Sequence, residues 1–218
     1  MPLSKYYYLD LIGVKSYGHA APSISIIDSQ KHGLLKLNEE ISACQKCDIS
    51  STNTKVAVSS RELTIGLMII GGIPDLHEDT AGSPFIGPPG DLLDKMLQAI
   101  NINRRDAYLT NVIRCFPGNA MYSYQDGITH CSRYLKSQID ELNPRLILLL
   151  GIEAAHAVLS ASDTIEQLRN QKLSVGSNKI PVIATYHPSH LIANNQDKRK
   201  SWEDIKRVQT FLGTPSEG

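Results

Sequence analysis

The sequence is poor in large aromatic rings, with one Trp and three Phe in 218 residues. It also lacks net charge, since 22 basic side chains balance 22 acidic ones. A protein that coats nucleic acid non-specifically usually carries a strong positive excess. The balance argues against that class and leaves room for a protein that grips DNA with one local patch. No apolar run approaches the roughly 20 residues of a membrane helix, so no membrane association is expected. The tyrosine-rich start, Met1 to Asp10, has no apolar core of a secretory signal, and the expected location is the cytoplasm. Cysteine is scarce, with four residues. Cytosolic thiols stay reduced, so these four are not expected to form disulfides.

What is present suits one well-buried domain, preceded by a separate segment over residues 1–33. Tyr6 to Val14 is apolar enough for a short helix or docking peptide. Lys15 to His32 is rich in Ser, Gly, His and Pro and has no period, which predicts a linker. A helix is expected from about Leu34, with the domain filling 34–218. Beyond it, apolar stretches of strand length alternate with amphipathic stretches. Strands are expected at Leu63–Gly71, Ala107–Val112, Arg145–Gly151 and Ile180–Tyr186. Helices are expected at Asp91–Ile100, Gly127–Leu142, Ile152–Ser160 and Ser201–Leu212. Continuously apolar strands separated by helices predict an α/β fold, three layers α/β/α, around a central parallel sheet of about four strands. In such sheets ligands bind beyond the carboxyl ends of the strands. That places attention on Gly71 to Phe85, Asn111 to Asn119, Gly151 onward, and His187 to Leu191.

The cysteines are spaced C-x2-C-x67-C-x15-C, at Cys44, Cys47, Cys115 and Cys131. A C-x2-C pair presents two thiolates to one metal or cluster, and the later pair could close the site from another direction. Four buried free thiols, a structural zinc with four thiolates and a [4Fe–4S] cluster all fit this spacing.

Four stretches then resemble the family 4, iron–sulfur type of uracil-DNA glycosylase. Ile69 to Asp94 (IIGGIPDLHEDTAGSPFIGPPGDLLD) is similar to the family's first motif, usually GEAPG, an acidic stretch, then G-x-PFVG-x-AG-x-LLD. Tyr108 to Asn119 (YLTNVIRCFPGN) resembles its Asn-bearing strand followed by a cysteine. Cys131 to Gly151 and the pentapeptide His187 to Leu191 (HPSHL) resemble the remaining two. The resemblance runs from about Leu35 to Leu212, and it implies a [4Fe–4S] cluster on Cys44, Cys47, Cys115 and Cys131. It also implies a substrate, uracil in DNA. Phe85 would stack on a flipped uracil, Asn111 would read its edge, and His187 would donate toward uracil O2. Gly71 and Gly72 would line the pocket with backbone groups, Asn119 and Ser189 would contact substrate, and Leu191 would wedge into the duplex.

The sequence departs from that pattern at two places. Gly72 and Asp75 replace the Glu and final Gly of GEAPG, and the Glu of that motif is associated with the attacking water. Asp75, Glu78 and Asp79 are the nearby carboxylates that could substitute. Asn119-Ala120 replaces the usual Asn-Arg. A second reading follows, a catalytically weak or inactive relative acting in DNA binding or assembly. Arg104, Arg105, Lys198, Arg199, Lys200, Lys206 and Arg207 are the basic residues expected near a DNA face. Finally, Leu11 to Tyr17 resembles the N-terminal peptide of the psi subunit of the bacterial clamp loader, which implies a replication partner for residues 1–20.

Overall fold

The computed structural model describes residues 24–51, 55–59, 63–118 and 123–213. Residues 1–20, and with them the clamp-loader-like peptide, lie outside the described residues, as does Asn119. Among the described residues no helix is long and apolar enough to cross a membrane.

The first described helix, α1 (Ile24–Ser42), starts well before Leu34. The expected linker therefore overlaps a helix, and the boundary drawn at residue 33 falls inside it. The Ser, His and Gly that suggested a linker are weak helix formers. Packing of α1 on the later helix α4 (Tyr124–Leu142) supplies what propensity does not.

The sheet is built from β1 (Leu67–Gly71), β2 (Tyr108–Asn111), β3 (Leu146–Leu150), β4 (Leu173–Val175) and β5 (Ile180–Thr185), in the order β2-β1-β3-β5-β4. Four strands are parallel, as expected. The fifth, β4, pairs antiparallel with β5 on the edge. β4 was not expected, because it is three residues long and only partly buried, too short for a periodic signal.

The helices are α2 (Leu76–Ala81), α3 (Pro88–Gln98), α4, α5 (Ile152–Leu159), α6 (Ile165–Arg169), α7 (Pro188–Ala193) and α8 (Lys198–Leu212). The strands bury both faces, and alternate residues serve opposite layers. Met68, Ile70, Ile147, Leu149 and Val182 join one core with Cys131, Leu135 and Ile139 of α4. Leu67, Ile69, Leu146, Leu148 and Ile183 join another with Leu93 and Leu97 of α3 and Ile205 and Val208 of α8. That split confirms the three layers.

From β1 the chain crosses to β2 on one side, while β3 pairs with β1 on the other. The carboxyl ends of β1 and β3 therefore flank a topological switch point, where open α/β sheets form a crevice.

Candidate active site

Gly71 ends β1 opposite Asn111, which ends β2. A Cβ on Gly71 would stand 2.4 Å from Asn111 Oδ1 and 2.8 Å from Phe85 Cζ. Only glycine lets these two side chains approach the strand end together. The chain then turns into α2, whose N-cap is Asp75. Asp75 Oδ1 accepts from the Glu78 N–H at 3.0 Å and Glu78 Oε2 accepts from the Asp75 N–H at 2.8 Å, a reciprocal capping box.

Glu78 does more than cap. Its Oε1 also accepts from the Phe85 N–H at 2.6 Å and from Asn111 Nδ2 at 2.9 Å. Burial pushes its pKa above the usual carboxylate range, and the hydrogen bonds from Phe85, Asn111 and Asp75 pull the other way. With both oxygens engaged by N–H donors, this carboxylate holds Asn111 and Phe85 in place. Because an ionised carboxylate only accepts, it also fixes which end of the Asn111 amide is NH2.

Phe85 is buried, with φ at 56°. A bulky side chain in the left-handed region is strained, and such strain persists only where the surroundings over-determine it. They do so here. Glu78 holds the Phe85 N–H, and Arg104 Nη2 donates to both Pro84 O and Phe85 O at 2.7 Å. Arg104 is itself anchored by Asp94 at 2.9 Å. This corrects the expectation for Arg104, which braces the Phe85 loop instead of facing DNA. Lys200 is likewise engaged, pairing with Glu166 and with Asp197, and Arg207 Nη1 donates to Arg169 O at 2.6 Å. Exposed Arg105, Lys198, Arg199 and Lys206 remain from that set, with Arg199 in contact with Glu203 at 3.7 Å.

His187 follows β5 and caps α7, with Pro188 at the first helical position. Its Nδ1 accepts the Ser189 N–H at 3.2 Å and lies 2.7 Å from Ser189 Oγ. An Nδ1 that accepts a backbone N–H carries no proton, so the neutral ring holds its proton on Nε2. Desolvation lowers the His187 pKa to about 4, against a weaker opposing pull from Asp75. The ring lies against Phe85, with centroids 6.0 Å apart and planes at 28°.

These groups border a cavity of about 610 Å³ at the strand ends, whose wall includes Gly72, Asp75, Glu78, Phe85, Glu153 and His187. Ser189 is in the wall as well. Asn111 is not, being 1% exposed and tucked beneath the cavity beside Gly71 and Phe85. Leu191 is also 1% exposed. As a wedge it is misplaced, because α7 packs on α3 and turns Leu191 inward. The exposed apolar residue of that helix is Ile192. Asp79 is buried, with its carboxylate near Lys55 N–H at 3.3 Å and its field felt by Cys115.

The chain matches the model of the uracil DNA glycosylase superfamily over residues 60–206. The chain belongs to the uracil-DNA glycosylase superfamily. It is 31% identical to the type-4 uracil-DNA glycosylase of Archaeoglobus fulgidus over 180 residues, covering 80% of this chain and 90% of that protein. It is 31% identical to the type-4 enzyme of Thermotoga maritima, covering 81% and 93%. It is 24% identical to the type-5 enzyme of Pyrobaculum aerophilum over 148 residues.

Within this superfamily member Cys115 and Cys131 join the core layer of Met68, Ile70 and Leu135, with Cys47 packed against it. Cys44 and Cys47 follow α1, Cys115 follows β2 and Cys131 lies on α4. Burial pushes the Cys115 thiol up to about 12, with further upward push from Cys131, Cys47 and Cys44. Cys131 is raised by burial too, and feels Cys47 and Cys44. The four thiols therefore share one neighbourhood. No three His, Cys, Asp or Glu side chains among the described residues close on a point as a single ion requires. Arg114, fully buried, stands in the fields of Cys131 and Cys115. Its Nη2 donates to Gln138 Oε1 at 2.6 Å, while Nε and Nη1 find no acceptor.

Sequence reasoning missed Glu153 and gave Arg104 a different role, since nothing local shows that its guanidinium meets the Phe85 carbonyl. Glu153 sits in the segment after β3 that the sheet argument had marked, but nothing in one sequence shows that it faces Gly72.

Proposed function

We propose that the protein is a DNA-repair glycosylase that hydrolyses the N-glycosidic bond of deoxyuridine in DNA, releasing uracil and leaving an abasic site. The observation that carries this reading is the neutral His187, with its proton on Nε2, bordering one cavity with Phe85 at the carboxyl ends of the strands. A base leaves the stack before its glycosidic bond becomes reachable. Stacking on an aromatic platform such as Phe85 contributes about 1–3 kcal/mol per base. As the bond to C1′ breaks, its electrons move onto the ring, and a fixed N–H donor stabilises the charge growing on uracil O2. A neutral donor suits this step, since it stabilises the anion without protonating it first. Asn111, whose amide is oriented by Glu78, reads the base edge. Uracil offers N3–H and O4, which an oriented amide complements. Cytosine reverses that pattern and leaves buried polar groups unpaired, at about 1–3 kcal/mol each.

Cys44, Cys47, Cys115 and Cys131 hold a [4Fe–4S] cluster with a structural role. What supports the fit is the shared neighbourhood of the thiols and the buried guanidinium of Arg114 beside them, whose Nε and Nη1 find no acceptor. Four thiolates around such a group carry net negative charge, which Arg114 would neutralise. The group also requires thiols kept reduced, consistent with action in the cytoplasm.

The deciding assay incubates purified protein with single- and double-stranded oligonucleotides bearing one uracil, followed by alkaline cleavage. Strand breakage at uracil and not at cytosine is expected. No breakage at any enzyme excess would refute the enzymatic reading and leave a DNA-binding or assembly role on the same fold.

A further inference from the structure

Completing the reaction requires a water molecule at C1′ and an acceptor for its proton. Four carboxylates border the cavity: Asp75, Glu78, Glu153 and Asp163, the last in the loop between α5 and α6. Glu78 is committed to N–H donors on both oxygens. Asp75 is held as the cap of α2 by the Glu78 N–H. Glu153 differs from both, and unlike Asp163 its side chain supplies the atoms nearest to position 72. Its backbone carbonyl accepts from the Tyr124 hydroxyl at 2.9 Å, but its carboxylate is exposed to solvent and has no hydrogen-bonding partner among the described residues.

Its position is the informative part. Gly72 follows β1, and Glu153 lies in the first turn of α5 after β3, so the two face each other across the switch point. A Cβ built on Gly72 would stand 2.5 Å from Glu153 Oε2 and 2.9 Å from Glu153 Cβ. A side chain at position 72 and the Glu153 side chain therefore compete for one volume. The first motif of this chain has Gly where the resembled pattern has Glu, and a carboxylate enters the same volume from the helix that follows the neighbouring strand. On the other flank, a Cβ on Gly151 would meet His187 Cβ at 3.0 Å, so the turn that launches Glu153 also touches the proposed donor.

We propose that Glu153 is a catalytic residue that positions the attacking water and accepts its proton, in the place left open by Gly72. This rests on the glycosylase reading above. In the step, the bond from C1′ to uracil N1 breaks and its electron pair leaves with the base, toward the His187 N–H. The water oxygen bonds to C1′, and its proton passes to the Glu153 carboxylate. The uracil anion is later protonated by solvent.

The test is single-turnover excision by the native chain, Glu153→Ala, Glu153→Gln, Gly72→Glu and the double variant Gly72→Glu/Glu153→Ala. Affinity for a duplex carrying uncleavable 2′-fluoro-deoxyuridine is measured alongside. Each Glu153 variant should lose about 10²-fold in rate, the order expected for a missing general base, with affinity unchanged. Gly72→Glu alone should also be slow, because its side chain meets Glu153. The double variant should be faster than either Gly72→Glu or Glu153→Ala, since one carboxylate again occupies the shared volume. Native rates in both Glu153 variants, or affinity falling in step with rate, would overturn the proposal. So would a double variant no faster than the singles. An inactive native chain would instead refute the glycosylase reading, which keeps the two failures apart.

Discussion

The Phe85 N–H donates to Glu78 Oε1 at 2.6 Å, and the same oxygen accepts Asn111 Nδ2 at 2.9 Å. One buried carboxylate thus sets both the proposed stacking platform and the proposed reader of the base edge. Glu78→Ala leaves these donors and the Asp75 N–H unpaired, at about 1–3 kcal/mol for each fully buried one. A lower melting temperature and an excision rate reduced by about 10²-fold are expected, since misplacement on the ångström scale carries that penalty. Calorimetry and single-turnover assays check both. A Glu78→Ala chain with native rate and stability would remove Glu78 from the site.

The second prediction concerns His187 and pH. Its folded pKa is lowered to about 4 by desolvation, against an ordinary imidazole value of about 6.5. As pH falls through that window, the unfolded chain takes up a proton that the folded site refuses. His187 therefore makes the fold progressively less stable from about pH 6.5 down to about 4. His187→Gln should flatten the acid side of the stability profile and slow excision at least about tenfold. In an NMR titration the His187 ring should hold its neutral shift between about pH 5.5 and 8, whereas a free imidazole changes charge there.

The cysteine site gives the third prediction. Protein purified without oxygen should be brown and contain about four irons and four sulfides per chain, the composition of one [4Fe–4S] cluster. Stoichiometric zinc without sulfide, in protein made with ample iron, would refute the cluster. Arg114→Met removes the buried cation beside Cys115 and Cys131. The visible absorbance of that variant should bleach faster in chelator than that of the native chain.

Leu191 and Ile192 separate packing from surface. Leu191 is 1% exposed and Ile192 46%. Leu191→Ala should destabilise the fold by about 2–5 kcal/mol, as core truncations do. Ile192→Ala should leave the melting temperature nearly unchanged. The reverse order would restore Leu191 as a surface wedge.

For residues 1–20, outside the described residues, the resemblance to the psi peptide gives a direct prediction. The intact chain should recover clamp-loader subunits in a pull-down, and a chain lacking residues 1–25 should not. Equal recovery from both, or none from either, refutes the partner and leaves the glycosylase reading untouched.

Much of this protein was legible in one dimension. Short, continuously apolar segments such as Leu146–Leu150 pointed to strands buried on both faces, and their alternation with helices pointed to a parallel sheet. Motif order brought His187, Phe85 and the cysteines into consideration, because short-range spacing survives in sequence. The tertiary structure decided everything that depends on which side chains meet across elements. It set Glu78 on both Asn111 and Phe85, set Arg104 on the Phe85 carbonyl, and buried Leu191. It also set Glu153 against Gly72. Residues 72 and 153 lie far apart along the chain, and their meeting depends on the pairing of β1 with β3. That register is a property of the folded sheet, and no local pattern in the sequence encodes it.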